Sequence, residues 1–275
     1  MRIHHLNCGT LCVLGERLVT GSGSPLARTP IICHCLLIEA ESGLILVDTG
    51  IGLGDIARPG RMGRPFTTTM KPRFDPLETA ARQVEALGFR RDDVRDIVVT
   101  HLDLDHAGGL GDFPAARVHV GDVEHGAAMR RASLNERGRY VTAQWAHAPR
   151  WETHAPGGDR WMGFESAQTL AGDGGPEVLL IPLFGHTRGH CGVAVQTGDG
   201  WLLHAGDAYF YRGETDPVRP TSTPGLSLFQ RLLAVDDRAR RANQLRLREL
   251  RRDHGGEVRI FCAHDPVELE SFQRA

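Results

Sequence analysis

Short apolar runs along the chain alternate with stretches in which apolar residues recur at helical spacing. The runs at 31–38 and 44–48 are rich in β-forming residues and are joined by the turn-prone EAESG, so we predict a β-hairpin. A helix is predicted from Asp75, with Pro76 at its first position and Gly88 as its stop. Its buried face would carry Leu77, Ala80, Ala81, Val84 and Leu87.

The same alternation continues towards the end of the chain. Residues 95–100 predict a buried strand, and ARVHV predicts another strand before a helix capped by Asp122. The Gly- and Pro-containing segment 52–74 indicates a loop. Later strands are predicted for EVLLIPLF, GVAVQT, WLLHAGD and VRIFC, with an arginine- and leucine-rich helix over about 236–252. This order predicts two sheets packed face to face with helices outside them.

Composition narrows the class of protein and its partners. With 275 residues, 41% hydrophobic and 24% charged, the chain can bury a core as one large domain or two closely packed halves. Its 32 basic and 34 acidic residues give a net charge of -2, so we expect no nucleic-acid partner. No segment approaches the ~20 apolar residues of a membrane span, and the chain does not begin with an apolar run of signal-peptide length. We therefore expect a cytoplasmic protein without membrane contact.

The six cysteines are scattered and include no CxxC pair. In a chain of this size they are expected to be reduced and mostly buried rather than joined in disulfides. Cys33 and Cys35 alternate within the run IICHCLLI, so they would share one face of a strand. Core packing accounts for both.

Residues 131–170 concentrate aromatic and basic side chains without a clear periodicity. Two interpretations are open for this segment and for the loop at 52–74. Both could wall a substrate site, where aromatic rings offer apolar area to an acyl chain and an arginine receives a carboxylate. Alternatively, the aromatic residues pack a helix onto the core and the arginines face water. The arginines concerned are Arg137, Arg139, Arg150 and Arg160.

The stretch THLDLDHAGG, residues 100–109, carries four potential metal ligands within six positions. If the backbone stays extended, the side chains of His101, Asp103 and Asp105 point to the same side. His106 follows at the start of a predicted helix. Carboxylates and imidazoles held this close would repel one another or be desolvated without a cation to share. We therefore predict a metal site here.

Three further polar clusters each follow a predicted strand. GHTRGH contains His186 and His190, HAGDAYF contains Asp207, and FCAHD contains His264. Together with the VDTG near the start, this order of motifs resembles the metallo-β-lactamase superfamily over essentially the whole chain. The resemblance implies an α/β fold, a four-layer αββα sandwich of two mixed β-sheets, as a single domain over residues 1–275. It also implies a dinuclear metal site at one edge of the paired sheets.

The ligands implied by the resemblance come from all four clusters. Asp105 is expected to serve in catalysis as well as in ligation. The first ion would be held by His101, the residue at 103 and His186, the second by Asp105, His106 and His264, and Asp207 would bridge both.

Two nearby residues are expected to support the ligands rather than bind metal. His190, the second histidine of GHTRGH, would orient the loop that carries His186. Asp48 matches the aspartate of the family's VDTG. It would either orient a ligand or make a structural hydrogen bond.

Asp103 departs from the family signature, which is HxHxDH where this chain reads HxDxDH. Three outcomes are open: Asp103 ligates the first ion through oxygen, it leaves one ion at the second site, or the site is without catalysis. In the first case a third carboxylate cancels the single positive charge that two ions, two aspartates and a bridging hydroxide would carry. A neutral centre should acidify its water less and favour harder ions. We expect two divalent ions, with zinc first and iron or manganese as alternatives.

A dinuclear centre of this kind implies a metal-dependent hydrolase acting on an ester-type bond of a small-molecule substrate. The motifs HAGG, GHTRGH and the final HD are most similar to those of the N-acyl-homoserine lactonase group, which suggests a lactone or carboxylic ester. Those lactonases use a tyrosine just after the bridging aspartate. We expect Tyr209 in that role, although neither Tyr209 nor Tyr211 stands at the family's offset.

Two alternatives remain at this point. A thioester hydrolase like glyoxalase II would share GHTRGH, but it binds glutathione through a basic C-terminal region for which little chain follows His264. A non-catalytic metal-binding protein would follow if Asp103 has abolished reactivity. A monomer and a homodimer are both compatible with the sequence.

Overall fold

Two mixed β-sheets form the centre of the protein. The computed structural model describes residues 1–155, 157–164, 168–169 and 176–274. Within these ranges one sheet has six strands in the order β1 to β6, namely β1 (Arg2–Leu14), β2 (Arg28–Ala40), β3 (Gly43–Val47), β4 (Val94–Val98), β5 (Arg117–Gly121) and β6 (Arg150–His154). The other has five in the order β11 to β7, namely β7 (Gln168–Thr169), β8 (Val178–Pro182), β9 (Cys191–Thr197), β10 (Gly200–His204) and β11 (Val258–Phe261).

Helices occupy the connections between the strands. No helix within the described ranges is long and apolar enough to cross a membrane. The α-helices found there are α1 (Glu16–Thr20), α2 (Leu53–Ala57), α3 (Arg64–Thr69), α4 (Ala80–Ala86), α5 (Asp122–Arg130), α6 (Leu134–Arg139), α7 (Pro224–Leu233), α8 (Asp237–His254) and α9 (Pro266–Gln273).

Strand direction brings several strand ends to one edge of each sheet. β2 and β3 pair antiparallel, which confirms the predicted hairpin, whereas β3, β4, β5 and β6 run parallel. In the other sheet β8 and β10 both pair antiparallel with β9, and β11 pairs parallel with β10. The carboxyl ends of β3 and β4 therefore lie at one edge, as do those of β8, β10 and β11. Every motif with candidate ligands follows one of these ends.

The space between the sheets is filled by side chains that alternate along each strand. Leu36 and Ile38 of β2 point between the sheets, whereas Cys35 and Leu37 point to the opposite face. Val193 of β9 belongs to the same central layer. Full burial of each such aliphatic side chain contributes roughly 1.5–3 kcal/mol of transfer free energy. Because both faces of β2 are buried, its sequence is an almost continuous apolar run.

Helices cover the outer face of each sheet. Ala80, Ala81 and Val84 of α4 pack with the outward side chains of the six-stranded sheet. Leu247 and Leu250 of α8 pack in the same way on the five-stranded sheet. The chain is thus a four-layer αββα sandwich, as predicted.

The helix predicted from Asp75 is divided into two elements. Asp75 caps a 3-10 turn at Pro76–Glu78 by accepting from the amide of Leu77, and Thr79 then caps α4 by accepting from the amide of Arg82. Leu77 consequently lies before the helix and is 74% exposed, and Leu87, the C-cap of α4, is 40% exposed. The predicted burial of both residues was wrong. Thr79 is a second residue whose side chain can cap a helix, and the α-helix begins after Thr79 rather than after Asp75.

Other local predictions also require correction. The segment 52–74 is not a simple loop, because it contains α2, α3 and a 3-10 turn at Pro59–Met62. Asp122 is the first residue of α5, where Gly121 occupies the capping position without a side-chain hydrogen bond. β6 was not predicted because it is an edge strand with mostly exposed side chains, which leaves no apolar alternation to detect.

Candidate metal centre

The segment after β4 turns back instead of remaining extended. The amides of His106 and Ala107 both donate to the carbonyl of Asp103, at 2.9 and 3.0 Å. The extended geometry expected through position 105 was therefore wrong beyond Asp103. Gly108 permits the turn to pass under the loop after β3, because a Cβ at this position would lie 2.5 Å from the carbonyl oxygen of Gly50.

The first cluster contains the four groups His101, Asp103, His186 and Asp207, whose potential ligand atoms all lie within 4.8 Å of one another. The Nε2 atom of His186 is 3.0 Å from Asp103 Oδ2 and 3.2 Å from Asp207 Oδ2. The Nε2 atom of His101 is 3.4 Å from Asp103 Oδ2. Two imidazoles and two carboxylates thus face a common point, in the set predicted for the first ion.

The second cluster contains His106, Asp207 and His264. The Nε2 atoms of His106 and His264 lie 3.3 and 3.1 Å from Asp207 Oδ1. Asp105 Oδ2 lies 3.9 Å from His264 Nε2. Since Oδ2 of Asp207 faces the first cluster and Oδ1 faces the second, this carboxylate has the geometry of a bridging ligand.

Several polar atoms of the two clusters are buried without a hydrogen-bond partner in the described chain. Such atoms ordinarily cost about 1–3 kcal/mol each when unsatisfied, so a cluster of them requires a ligand. Imidazole nitrogens and carboxylate oxygens are suitable donors for divalent ions, and the residues therefore fit the metal that the fold implies. The atoms concerned are His101 Nε2, Asp103 Oδ1, His106 Nε2 and Asp207 Oδ1.

Asp48 selects which nitrogen of His106 faces the cluster. Its carboxylate lies 2.8 Å from His106 Nδ1 and accepts from both the amide and the hydroxyl of Thr100. Burial alone would raise the pKa of Asp48, but the adjacent His106 outweighs it and lowers the pKa to about 2. The ionised carboxylate therefore holds the Nδ1 proton and leaves Nε2 for metal.

The pKa values of His186 and His106 are shifted in opposite directions, so the two rings differ in whether a proton must leave before a cation binds. Burial lowers the pKa of His186 to about 4, which keeps its ring neutral near pH 7. Burial also acts to lower the pKa of His106, but the carboxylates of Asp207 and Asp48 raise it well above its ordinary value. An ion entering the second cluster must therefore displace a proton from His106.

His264 directs one ring nitrogen at the second cluster, whereas both ring nitrogens of His190 contact the backbone. The Nδ1 of His264 is 2.6 Å from the carbonyl of Ile32, so its Nε2 is directed at Asp207. Both nitrogens of His190 are occupied, since Nε2 accepts from the amide of Asp207 at 2.8 Å and Nδ1 donates to the carbonyl of Leu183 at 3.1 Å. His190 thus positions the strand end that carries Asp207.

Glu124 is a buried positioning residue that the sequence did not reveal. From α5 its carboxylate accepts from the amide of Leu102 at 3.0 Å, the hydroxyl of Thr187 at 2.7 Å and the amide of Gly189 at 3.1 Å. It therefore joins the loop of His101 to the loop of His186. In the sequence, the only sign of this role is that Glu124 falls in the first turn of a predicted helix. Acidic residues are common at that position in helices, so the sign is not specific.

A buried arginine lies beside the first cluster. The guanidinium NH1 of Arg139 lies 3.3 Å from Asp103 Oδ2 and donates to the carbonyl of His186 at 3.0 Å, while NH2 donates to the carbonyl of Leu233 at 2.7 Å. Burial acts to raise the pKa of Asp103, but the charges of Arg139 and His101 hold it well below its ordinary value.

Tyr209 is not placed as expected for a catalytic tyrosine. Its ring lies fully buried in the outer core of the five-stranded sheet, and its hydroxyl donates to Glu268 at 2.9 Å. The next residue, Phe210, turns towards the clusters and stacks on His264 with ring centroids 4.9 Å apart. The chain turns and bends after the end of β10, and Tyr209 and Phe210 leave it in different directions. This position does not support the catalytic role expected of Tyr209.

A cavity of about 420 Å³ opens above both clusters. Its floor carries the acidic and imidazole groups, and its walls are mainly apolar. α3 and the residue after it supply part of one wall, whereas α6 and α7 supply the other. The lining residues include Ile31, Phe66, Met70, Leu104, Phe210, Phe229 and Leu233 with Asp103, Asp105, Arg139, His186, Asp207 and His264.

The segment 131–170 contributes to the cavity by its helix rather than by its aromatic residues. Leu134 and Arg139 of α6 line the cavity. Tyr140 and Trp145 instead pack in the outer core of the six-stranded sheet, and Trp161 packs in that of the other. The core interpretation is therefore correct for these aromatic residues. Residues 156, 165–167 and 170 of this segment lie outside the described ranges.

Cys33 lies closer to the chemistry than core packing alone required. Its sulfur is within 4.8 Å of ligand atoms of Asp105 and His264. Burial raises the pKa of the thiol well above its ordinary value, and the charge of Asp105 acts in the same direction. The thiol is therefore protonated in the absence of a cation.

Comparison with known proteins agrees with this geometry. The family model of the metallo-beta-lactamase superfamily matches residues 28–264. A probable metallo-hydrolase of Mycobacterium tuberculosis is 45% identical over 266 residues, which are 97% of this chain and 81% of that relative. An N-acyl homoserine lactonase of Bacillus thuringiensis is 31% identical over 123 residues, covering 44% of this chain and 48% of the lactonase.

Solved structures show the same fold. An N-acyl homoserine lactone hydrolase with the product N-hexanoyl-L-homoserine at its catalytic metal centre superposes with a TM-score of 0.72 at 22% identity, covering 98% of this chain and 95% of the other. The matched family model, the mycobacterial relative and the two ligand clusters agree. The chain belongs to the metallo-β-lactamase superfamily and is a metal-dependent hydrolase of that superfamily.

Proposed function

We propose that the protein hydrolyses an ester-type bond in a small molecule, most simply a lactone or a carboxylic ester. The observation that carries the proposal is Asp207, whose two carboxylate oxygens face separate ligand clusters on the floor of an apolar cavity. Divalent ions in those clusters would acidify a water and polarise the scissile carbonyl. We expect two ions, zinc first, with iron or manganese as alternatives.

The protein's own residues would prepare this chemistry. His101, Asp103 and His186 would hold one ion, and Asp105, His106 and His264 the other. Asp105 would join the second set through its position 3.9 Å from Nε2 of His264. Asp105 also lines the cavity, so we propose that it contacts the reacting end of the substrate as well as the ion. Asp48 keeps Nε2 of His106 directed at the cluster.

The cavity favours an uncharged acyl group. Its walls are largely apolar, and the arginine among its described lining residues, Arg139, already faces Asp103. An acyl chain would therefore gain burial there, at about 25 cal/mol per Å² of apolar surface removed from water. The similarity to the lactonase of Bacillus thuringiensis supports the same substrate class. A glutathione thioester, which the glyoxalase II alternative requires, would bring carboxylates that no free lining arginine among the described residues would receive.

A substrate panel tests the proposal. The purified protein should hydrolyse lactones or activated carboxylic esters and lose that activity on chelation. Asp207→Ala should lower kcat/KM about a hundredfold or more, since even residues that only orient metal ligands contribute 10–100-fold. Asp253→Ala, at an exposed aspartate, is the matched control and should retain activity.

Two results would redirect the conclusion. Preferred turnover of thioesters would favour the glyoxalase II alternative. Tight metal binding without turnover of any member of the panel would identify a non-catalytic metal-binding protein. Single-domain organisation and a monomeric or homodimeric state remain predictions, to be tested by limited proteolysis and light scattering.

A further inference from the structure

The first cluster contains a carboxylate and a guanidinium where the family signature has one imidazole. Asp103 occupies the position of the signature's second histidine. Arg139 NH1 lies 3.3 Å from Asp103 Oδ2, on the carboxylate oxygen that also faces His101 and His186. An aspartate with a paired arginine carries no net charge, as a neutral imidazole does.

The guanidinium is held in this position by the fold. Arg139 is the last residue of α6, and its side chain is only 5% exposed. The carbonyls of His186 and Leu233 accept from its two terminal nitrogens, so the charge cannot swing away into solvent. Buried charges are retained where a partner compensates them, and Asp103 is that partner.

We propose that Asp103 and Arg139 act together as a neutral replacement for the missing imidazole. Asp103 supplies the oxygen ligand of the first ion, and Arg139 cancels the charge that this ligand adds. The inference rests on the metal site of the proposed function, not on its substrate. When the charge of Arg139 is included, the centre keeps the single positive charge that Asp103 alone would cancel. The neutral centre expected from the sequence therefore does not arise.

Arg139 is thus a positioning residue that acts through Asp103 and through its own charge. A purely structural role would make its removal weaken metal binding, because the loop of His186 would lose a donor. The proposed role makes the opposite prediction. Removing a positive charge next to a cation site should tighten the first ion, since two unit charges a few ångströms apart interact appreciably even with partial screening.

Metal affinity measured by competition with a chromophoric chelator tests this difference. Arg139→Gln removes the charge and, because its side chain is shorter and has one amide nitrogen, also gives up contacts to the two carbonyls. It should nevertheless bind the first Zn²⁺ about tenfold more tightly, because the loss of the charge outweighs the loss of these contacts. Arg139→Lys should remain near wild type. Asp103→His alone should bind the first ion about tenfold more weakly, because Arg139 is then uncompensated. The double variant Asp103→His with Arg139→Gln should return towards wild type.

Two controls make the measurement specific. His101→Ala identifies which bound equivalent belongs to the first cluster. Arg61→Gln removes a guanidinium that pairs with the buried carboxylate of Asp55 at 2.9 Å rather than with a candidate ligand, and it should leave first-ion affinity unchanged. Circular dichroism establishes that each variant is folded.

Unchanged or weaker first-ion binding in folded Arg139→Gln would overturn the inference. If that variant does not fold, Asp103→His decides alone, and first-ion binding equal to or tighter than wild type would refute the pairing. These affinities do not depend on turnover, so an inactive protein that shows the predicted pattern would contradict the proposed hydrolysis and leave the pairing intact.

Discussion

At the scale of the residue, the state of each histidine is set by the group behind it. The contact between Asp48 and His106 directs one ring nitrogen into the centre. In Asp48→Asn the charge that holds the Nδ1 proton is removed while the side-chain shape is kept. We expect the affinity of the second ion to fall 10–100-fold, as is typical for partners of metal-bound histidines. Metal titration of the folded variant measures the effect.

A matched contact elsewhere in the chain provides the control. Asp96 lies 2.8 Å from Nε2 of His119, outside both ligand clusters. Asp96→Asn therefore removes the same kind of contact away from the metal centre and should leave metal affinity unchanged. Equal effects of the two substitutions would show that the loss at Asp48 is general destabilisation.

At the scale of the element, Glu268 joins α9 to the end of β11. Its carboxylate accepts from the hydroxyl of Tyr209 and from the amide of Cys262. Burial raises its pKa to about 7. A carboxyl group with a raised folded-state pKa contributes stability that is fully present below its unfolded pKa, near 4.3, and is lost as the pH rises to about 7.

Glu268→Gln should remove this pH dependence, because an amide does not ionise. The wild-type free energy of unfolding should fall between pH 5 and pH 7.5 relative to that of the variant, when both proteins are measured in chelator by urea titration. Glu270→Gln, at an exposed glutamate of the same helix, should behave like wild type. Parallel pH profiles for wild type and Glu268→Gln would contradict the assigned pKa.

At the scale of the whole molecule, bound ions should stabilise the sandwich by linking its two sheets. Loops from β4 in one sheet and from β8, β10 and β11 in the other carry the ligands, and without cations their carboxylates repel one another. A ligand at a hundred times its Kd stabilises the folded state by about 2.7 kcal/mol. Chelation should therefore lower Tm by about 5 °C or more.

Differential scanning fluorimetry with and without EDTA measures that shift. Asp207→Ala should show a much smaller shift, since the bridging ligand is absent. An unchanged Tm after verified metal removal would mean that the edge is rigid without ions, and the stabilising role would be refuted.

Prediction from sequence succeeded where the signal is local. The hairpin of β2 and β3 and the ligand-bearing segments at strand ends follow from residue types over a few positions. It failed at Leu77, where a second capping residue moved the helix start, and at Tyr209, whose direction in the turn after β10 depends on packing. Arg139 was one of four candidates, and only the position of α6 distinguished it from the others.

By itself the sequence determined the family, the layered fold and the set of groups available to bind metal, because strand patterning and residue type are carried by neighbouring positions. Tertiary structure alone decided how those groups are used. It turned the two oxygens of Asp207 to different clusters, placed Arg139 against Asp103 and directed Tyr209 into the core. Contacts between residues distant in the chain depend on how the sheets and helices pack, which no local pattern encodes.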